Sequence, residues 1–458
     1  MKKLLLVTTA IAGIGIMSSP ASAALKMDLG GYFDGYGVYA NNHDAGGASS
    51  LYQYDFRRDT DVFVNGEATL DNGLTVGVHT DIVLGNNNAD GTANTATNTV
   101  TLNQVYGYGS GGWGRINLGT SDGAAYLLQV AAPSADSNID GLRTSISAIQ
   151  PATGASGAPS TQSGVISTLF GGGNNNAFGA AITGRTDYQQ DDFRQSDRIT
   201  YLSPKFSGFQ GGISYAPHPG IAPSTDGMAS NYLVSDGGLT TGTGGTFTGS
   251  AAGFKNIWEA AARWDGEFQG FGLSAGAGYS GSSLEGGSQA VLTNLALGRQ
   301  ELTNGIKSWN GGASATFAGF SLGGVYKESK VGTSANTLGG GDAADVGSGD
   351  ITSKTWVAGI GYDNGPYHVG ASYLKDKTTD PAISGDTNYI SGAEYNATKY
   401  TIGGGYTYAP GMTFRGTVAW GKFDTTNLVG AGAIGAGSAF TADSNKYEQI
   451  AIGTDIQF

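Results

Sequence analysis

Apolar and polar positions alternate with a period of two through most of this chain, the period of a half-buried β-strand. From residue 62 to 70, Val62, Val64, Ala68 and Leu70 fall on one face, and Phe63, Asn65, Glu67 and Thr69 on the other. Asp71-Asn72-Gly73 follows as a tight turn, because Asn and Gly tolerate positive φ. Leu74, Val76, Val78, Ile82 and Leu84 then alternate against Thr75, Gly77, His79 and Asp81. The same strand–turn–strand unit recurs at 104–109 and 115–119, 198–203 and 210–216, 258–265 and 271–281. It returns at 308–317 and 320–327, 355–362 and 367–376, and 399–408 and 412–422. A first strand over 25–39 and a last over 447–458 bring the total to about 16, an even number as in bacterial barrels. Two terminal strands left unpaired would be open edges, so pairing them with each other closes the sheet.

The connections alternate in length. Turns within the hairpins are short, whereas 85–100, 120–194, 217–256, 282–307, 331–354, 377–397 and 424–446 are long. This is the habit of an outer-membrane barrel, with short turns at one rim and long loops at the other. The fold class predicted is therefore all-β, a transmembrane antiparallel β-barrel. Trp258, Trp264, Tyr362, Tyr367, Tyr406, Tyr408, Phe414 and Trp420 stand near strand ends on the outward face, where amphipathic rings meet lipid headgroups. Gly272, Gly276, Gly359, Gly361, Gly403 and Gly405 occupy inward positions; they suit a curved wall, lined with small residues or bent around packed protein.

The N-terminus adds a compartment. Lys2 and Lys3 precede an apolar run to Met17, and Ala21-Ser22-Ala23 supplies a cleavage site, so 1–23 reads as a signal peptide and 24–458 as one barrel domain. No later stretch supplies the ~20 apolar residues of a membrane helix. With no cysteine, a disulfide framework and a cysteine-ligated metal are excluded. Glycine fills 79 of 458 positions without a collagen period, and it serves turns and the inner wall instead. The formal charge is −13, and removal of the two leader lysines makes it −15, a balance that argues against nucleic-acid partners.

Four segments carry a family resemblance: 66–77 (GEATLDNGLTVG), 114–124 (GRINLGTSDGA), 198–210 (RITYLSPKFSGFQ) and 450–458 (IAIGTDIQF). Spread over the chain in the family's order, they make it resemble the general diffusion porins of Gram-negative bacteria. The resemblance implies a 16-stranded homotrimeric barrel in the outer membrane, in contact with lipid. It further implies a third extracellular loop folded into the lumen as a constriction. It makes Phe458, at the end of a face shared with Ile450, Ile452, Thr454 and Ile456, a signal for the barrel-assembly machinery.

By that resemblance the constriction loop is 120–194, with Asp122, Asp136, Asp140, Asp187, Asp191 and Asp192. The family architecture sets such acids against basic wall residues across an aperture. Inward parity nominates Arg115, Arg198, Arg263 and Arg415 for that wall, with Glu67, Asp81, Glu259 and Asp265 as alternative partners for them. Arg57, Arg58 and Arg143 fall in loops or near strand ends. The loop is unusually long, and a further hairpin from Val165 to Arg185 inside it would raise the wall to 18 strands if it entered the sheet.

Rival chemistry is thin. Two G-x-S-x-G matches at 272–276 and 319–323 and a G-x-G-x-x-G at 107–112 occur at the frequency such a glycine content produces, with no helix to receive a phosphate. His43, His79, His218 and His368 form no metal or triad spacing. Asp342, Asp345 and Asp350 in a glycine-rich loop leave a loop Ca2+ open, and no other cofactor is expected. The function predicted is a non-enzymatic, water-filled channel for passive diffusion of ions and small hydrophilic solutes, weakly cation-selective. The alternative is a non-conducting barrel with an adhesive or structural role.

Overall fold

The computed structural model of the chain describes residues 25–43, 54–84, 100–146, 187–190, 193, 195–217, 254–284, 291–294, 298–302, 304–336, 348–379, 394–426 and 443–458. The expected signal peptide over 1–23, the candidate hairpin from Val165 to Arg185, Asp191 and Asp192 of the long loop, and Asp342 and Asp345 of the acidic loop lie outside these residues.

The strands are β1 (Lys26–His43), β2 (Tyr54–Thr69), β3 (Thr75–Leu84), β4 (Val100–Gly111), β5 (Gly114–Ser121), β6 (Ser196–Leu202), β7 (Phe209–Ala216), β8 (Phe254–Phe268) and β9 (Phe271–Leu284). They continue as β10 (Val291–Asn294), β11 (Gly298–Leu302), β12 (Lys307–Phe317), β13 (Phe320–Asn336), β14 (Ser348–Asn364), β15 (Tyr367–Thr379), β16 (Glu394–Ala409), β17 (Met412–Thr426) and β18 (Asp443–Gln457). Sixteen of them form a closed antiparallel ring, because β9 pairs directly with β12 and β1 pairs with both β2 and β18. The remaining two, β10 and β11, are a short hairpin in the 282–307 connection whose second strand bonds the upper end of β13. That connection reads as plain loop in the sequence, since four or five residues give alternation little room to show.

Closure runs to the last residue. The Gly31 N–H donates to the Phe458 carbonyl at 2.9 Å, and the Phe458 N–H donates back to Gly31 at 3.1 Å. At the long loop, β5 bonds β6 directly from Arg115↔Leu202 to Ser121↔Ser196. No strand is interposed there, so the wall has 16 strands and not 18. A second difference concerns β2, which begins at Tyr54 rather than 62, so Arg57 and Arg58 lie within a strand. The polar outward residues Arg58 and Thr60 interrupt the apolar face and hide the period in the sequence.

Outward faces bear two tiers of aromatic rings. Trp356 and Tyr362, Tyr373 and Tyr367, Tyr400 and Tyr406, and Trp420 and Phe414 are each six residues apart along one strand, roughly 20 Å at ~3.4 Å per residue. Neighbours within a tier touch. Tyr326–Trp356 and Tyr400–Trp420 centroids are 5.3 and 5.7 Å apart in one tier, and Phe320–Tyr362 and Tyr367–Tyr406 are 4.5 and 5.1 Å apart in the other. The spacing matches the height of an apolar band crossed by tilted strands. At the short-turn rim, Ala318-Gly319 takes φ of +48° and +86°, the mirror-image two-residue turn that follows strand twist.

Candidate channel lining

From β5 the chain runs as segment 122–146, with the short helices α1 (Ala124–Leu127) and α2 (Ser137–Asp140), and the described residues 187–190, 193 and 195 precede β6. This segment touches ten wall strands. The Ala124 N–H donates to Ser214 Oγ on β7 at 3.1 Å, and the Ala125 N–H to Glu259 Oε2 on β8 at 3.2 Å. Gln190 Nε2 reaches Ser280 on β9 (2.9 Å), and Asn310 of β12 donates to the Gln190 side chain (3.1 Å). Lys327 on β13 donates to the Gln189 carbonyl at 2.7 Å, and Lys399 on β16 to the Ile139 carbonyl. Ser372 on β15, Thr417 on β17 and Tyr36 on β1 donate to Asp140 or Asp136. Asn138 donates to Asp455 on β18. Strands so far apart around a ring can all meet one short segment only from within the ring.

The wall is shaped to receive it. Inward glycines underlie the segment's backbone: Leu128 and Ala124 over Gly212, Val130 over Gly276 and Gly312, Pro133 over Gly323 and Gly359, and Ser134 and Ala135 over Gly370. Gly276 pairs with Gly312 and Gly323 with Gly359 across adjacent strands, so the missing side chains form a continuous trough. Two apolar clusters flank it. Tyr188 and Ala132 pack on Val325, Val357 and Leu374, and Ile139 and Ile146 pack against Tyr36, Val38, Ala397 and Phe423. Full burial of such aliphatic side chains is worth ~1.5–3 kcal/mol each.

All four nominated arginines face inward, and three meet carboxylates. Arg198 Nη1 lies 2.8 Å from Glu259 Oε1, with both side chains buried beneath Gly123. Arg263 pairs with Asp265 at 2.9 Å and donates to the Gln129 carbonyl at 3.2 Å. Arg415 pairs with Asp455 and stands 3.8 Å from Asp136 of the loop. Arg115 instead donates to Asn117 at 2.7 Å and lies over the Tyr108 ring.

The acids divide likewise. Asp136 and Asp140 are buried and serve the loop itself: Asp136 caps α2 by accepting from the Asn138 N–H, and Asp140 accepts from the Ala135 and Asp136 N–H groups. Asp122 accepts from Gln104, Asp81 from Asn103, and Glu67 from the Tyr108 hydroxyl. Asp136 and Arg415 are thus brought together as a loop-to-wall tether, whereas Asp122 and Asp140 meet no arginine in an ion pair among the described residues. Arg143, in the loop, donates to Gln189. The buried lysines Lys327 and Lys399 were not singled out by sequence. Their inward parity on otherwise small, polar faces was the available signal. No group of three or more His, Asp or Glu among the described residues could hold a metal ion.

Burial pushes the Asp136 carboxyl up to about 6, with Asp455 adding to the effect and Arg415 opposing it. A carboxyl raised in the fold contributes stability that is full below its unfolded value and lost as pH rises through about 6. Lowering the pH from 7.5 to 5 is therefore expected to shift the melting temperature in favour of the wild type relative to Asp136→Asn. A shift toward the variant in a thermal melt at the two pH values would contradict this.

A closed 16-stranded ring with apolar, aromatic-tiered outer faces and a segment folded against its inner face defines a transmembrane β-barrel of the channel-forming class. The family described as Gram-negative porin matches residues 7–426, and the chain belongs to it. Its members are non-enzymatic channel proteins of the outer membrane. Among solved structures, the anion-selective porin of Comamonas acidovorans is 18% identical with a TM-score of 0.53, the match covering 95% of this chain and 100% of that one. OmpT of Vibrio cholerae is 10% identical with a TM-score of 0.47, covering 95% and 100%. No curated protein sequence matches the chain.

Proposed function

We propose that the chain, exported by its signal peptide, assembles as a homotrimer whose barrels pass ions and small hydrophilic solutes by passive diffusion, with a weak cation preference. The carrying observation is the charge balance of the inner face. On β1–β3 the inward positions hold the acids Asp28, Asp34, Asp55, Asp59, Asp61, Glu67 and Asp81 against only Lys26 and Arg57. Elsewhere on the wall Arg198, Arg263 and Arg415 are already matched by carboxylates. The Comamonas porin of similar fold is described as anion-selective, the opposite of the preference proposed for this chain. For the trimer, the outward positions of β3, β4 and β5 supply Val76, Val78, Val105, Ile116 and Leu118 but no aromatic ring, so this stretch of wall lacks the headgroup girdle and is the one left for contact between barrels.

Planar-bilayer recording in a KCl gradient tests the reading. The expected result is stepwise conductance in multiples of three with a reversal potential on the cation side. A chloride-side potential would overturn the selectivity, single steps the trimer, and silence the channel itself in favour of a closed barrel.

A further inference from the structure

Five aromatic side chains form a ladder on the inner face that none of the roles above uses. Tyr32 lies on β1, Phe63 on β2, His79 on β3, and Tyr106 and Tyr108 on β4, all at inward positions. Successive centroids are 6.0 Å apart from Tyr32 to Phe63, 6.0 Å from Phe63 to His79, 4.9 Å from His79 to Tyr106 and 6.5 Å from Tyr106 to Tyr108. Arg115 of β5 ends the row, its guanidinium carbon 3.8 Å from the Tyr108 centroid. Each member is half-buried and keeps open surface. The row is held in place: a Cβ on Gly77 would lie 2.5 Å from the Tyr108 ring, so only glycine lets that ring lie against the wall.

The edges of the ladder are polar. Asn65 bonds His79 Nδ1 at 2.6 Å, Asp61 accepts from the Tyr32 hydroxyl at 2.6 Å, and Glu67 accepts from Tyr108 at 2.9 Å. Glu67 keeps about a third of its side chain exposed, whereas Asp81, opposite Phe63 in register, is covered behind the row. Arg115 carries no carboxylate partner among the described residues, while Arg198, Arg263 and Arg415 all do.

Apolar ring faces along a wetted wall gain nothing from water, and they are stabilised when a flat apolar surface covers them. Carboxylate, amide and guanidinium groups beside those faces hold open acceptors and donors. A sugar ring matches both, with a patch of C–H groups on its face and hydroxyls around its rim. The acidic surroundings disfavour an anionic ligand. We propose that this ladder is a binding track for neutral sugars, whose rings stack on Phe63, His79 and Tyr106 while their hydroxyls bond Glu67, Asn65 and Arg115. The proposal rests on the channel reading above.

The test is single-channel recording with maltotriose added to one side, compared with a polyethylene glycol of the same hydrodynamic size. Maltotriose is expected to produce concentration-dependent current interruptions, and the polymer none. In Phe63→Leu and Tyr106→Leu the half-blocking concentration is expected to rise about fivefold or more, while open conductance is kept or increased. Equal interruption by the polymer, or unchanged half-block in both variants, overturns the track. Interruption by benzoate but not by maltotriose overturns it in favour of an aromatic acid. Conductance without sugar interruption removes the track alone, whereas absence of any conductance removes the channel reading with it.

Discussion

Arg198→Ala is expected to cost about 3–5 kcal/mol, the range for removing one partner of a buried ion pair. The reason is what remains. Glu259 keeps a carboxylate that is almost entirely covered, with Oε2 accepting from the Ala125 N–H and the Ser214 hydroxyl but Oε1 deprived of its guanidinium. The loop backbone at Gly123 passes directly over the pair, so water has no ready path to replace the lost donor. The loss should therefore reach beyond β6 and β8 and loosen the start of the loop. Urea unfolding of the refolded protein measures it, and the double variant Arg198→Met, Glu259→Leu should recover much of the deficit, since paired apolar groups leave no orphaned charge. A single variant as stable as the wild type would show that the pair is solvated and that the loop does not seal it.

How far the molecule could be read from its residues depends on how local each feature is. The wall was legible, because alternation is a property of neighbours along one strand. Parity alone put Arg115, Arg198, Arg263 and Arg415 on the inner face. The Ala318-Gly319 turn was also legible, since its left-handed backbone is set by two residues. Arg263 and Asp265 are two residues apart on one strand, so their shared face follows from the same rule. Arg198 and Glu259 lie on β6 and β8, with β7 between them, and only their common direction into the ring brings them together. The tethers of Asp136 and Asp140 depend on where a loop lands, which strand periodicity does not encode. The aromatic ladder was hidden for another reason. Outward aromatics announce a membrane interface, whereas Tyr32, Tyr106 and Tyr108 at inward positions become a row only when β1 to β4 are set in register.

The inward glycines join these two scales, and Gly359→Ala is the substitution that tests the join. A methyl group at this position would land deep inside van der Waals contact of the Pro133 carbonyl oxygen and close to its carbonyl carbon, both backbone atoms of the loop. No rotamer relieves a backbone clash, so either β14 bends outward or the loop rises from its trough. The ring resists bending, because Gly359 is bonded in register to β13 and β15 on either side. The loop is held to the wall by side-chain bonds such as those of Lys327 and Ser372 and by apolar packing, not by a strand ladder, so it should yield first and move toward the axis of the lumen. Overpacking of this kind costs ~1–3 kcal/mol. The expected readout is a lower single-channel conductance with noisier open states, together with a lower melting temperature. Gly416→Ala, where an added Cβ meets nothing within 4 Å, is the matched control and should change neither. If Gly359→Ala conducts like the wild type, the loop does not lie in the glycine trough in the membrane, and the narrowing of the channel must be sought elsewhere on the wall.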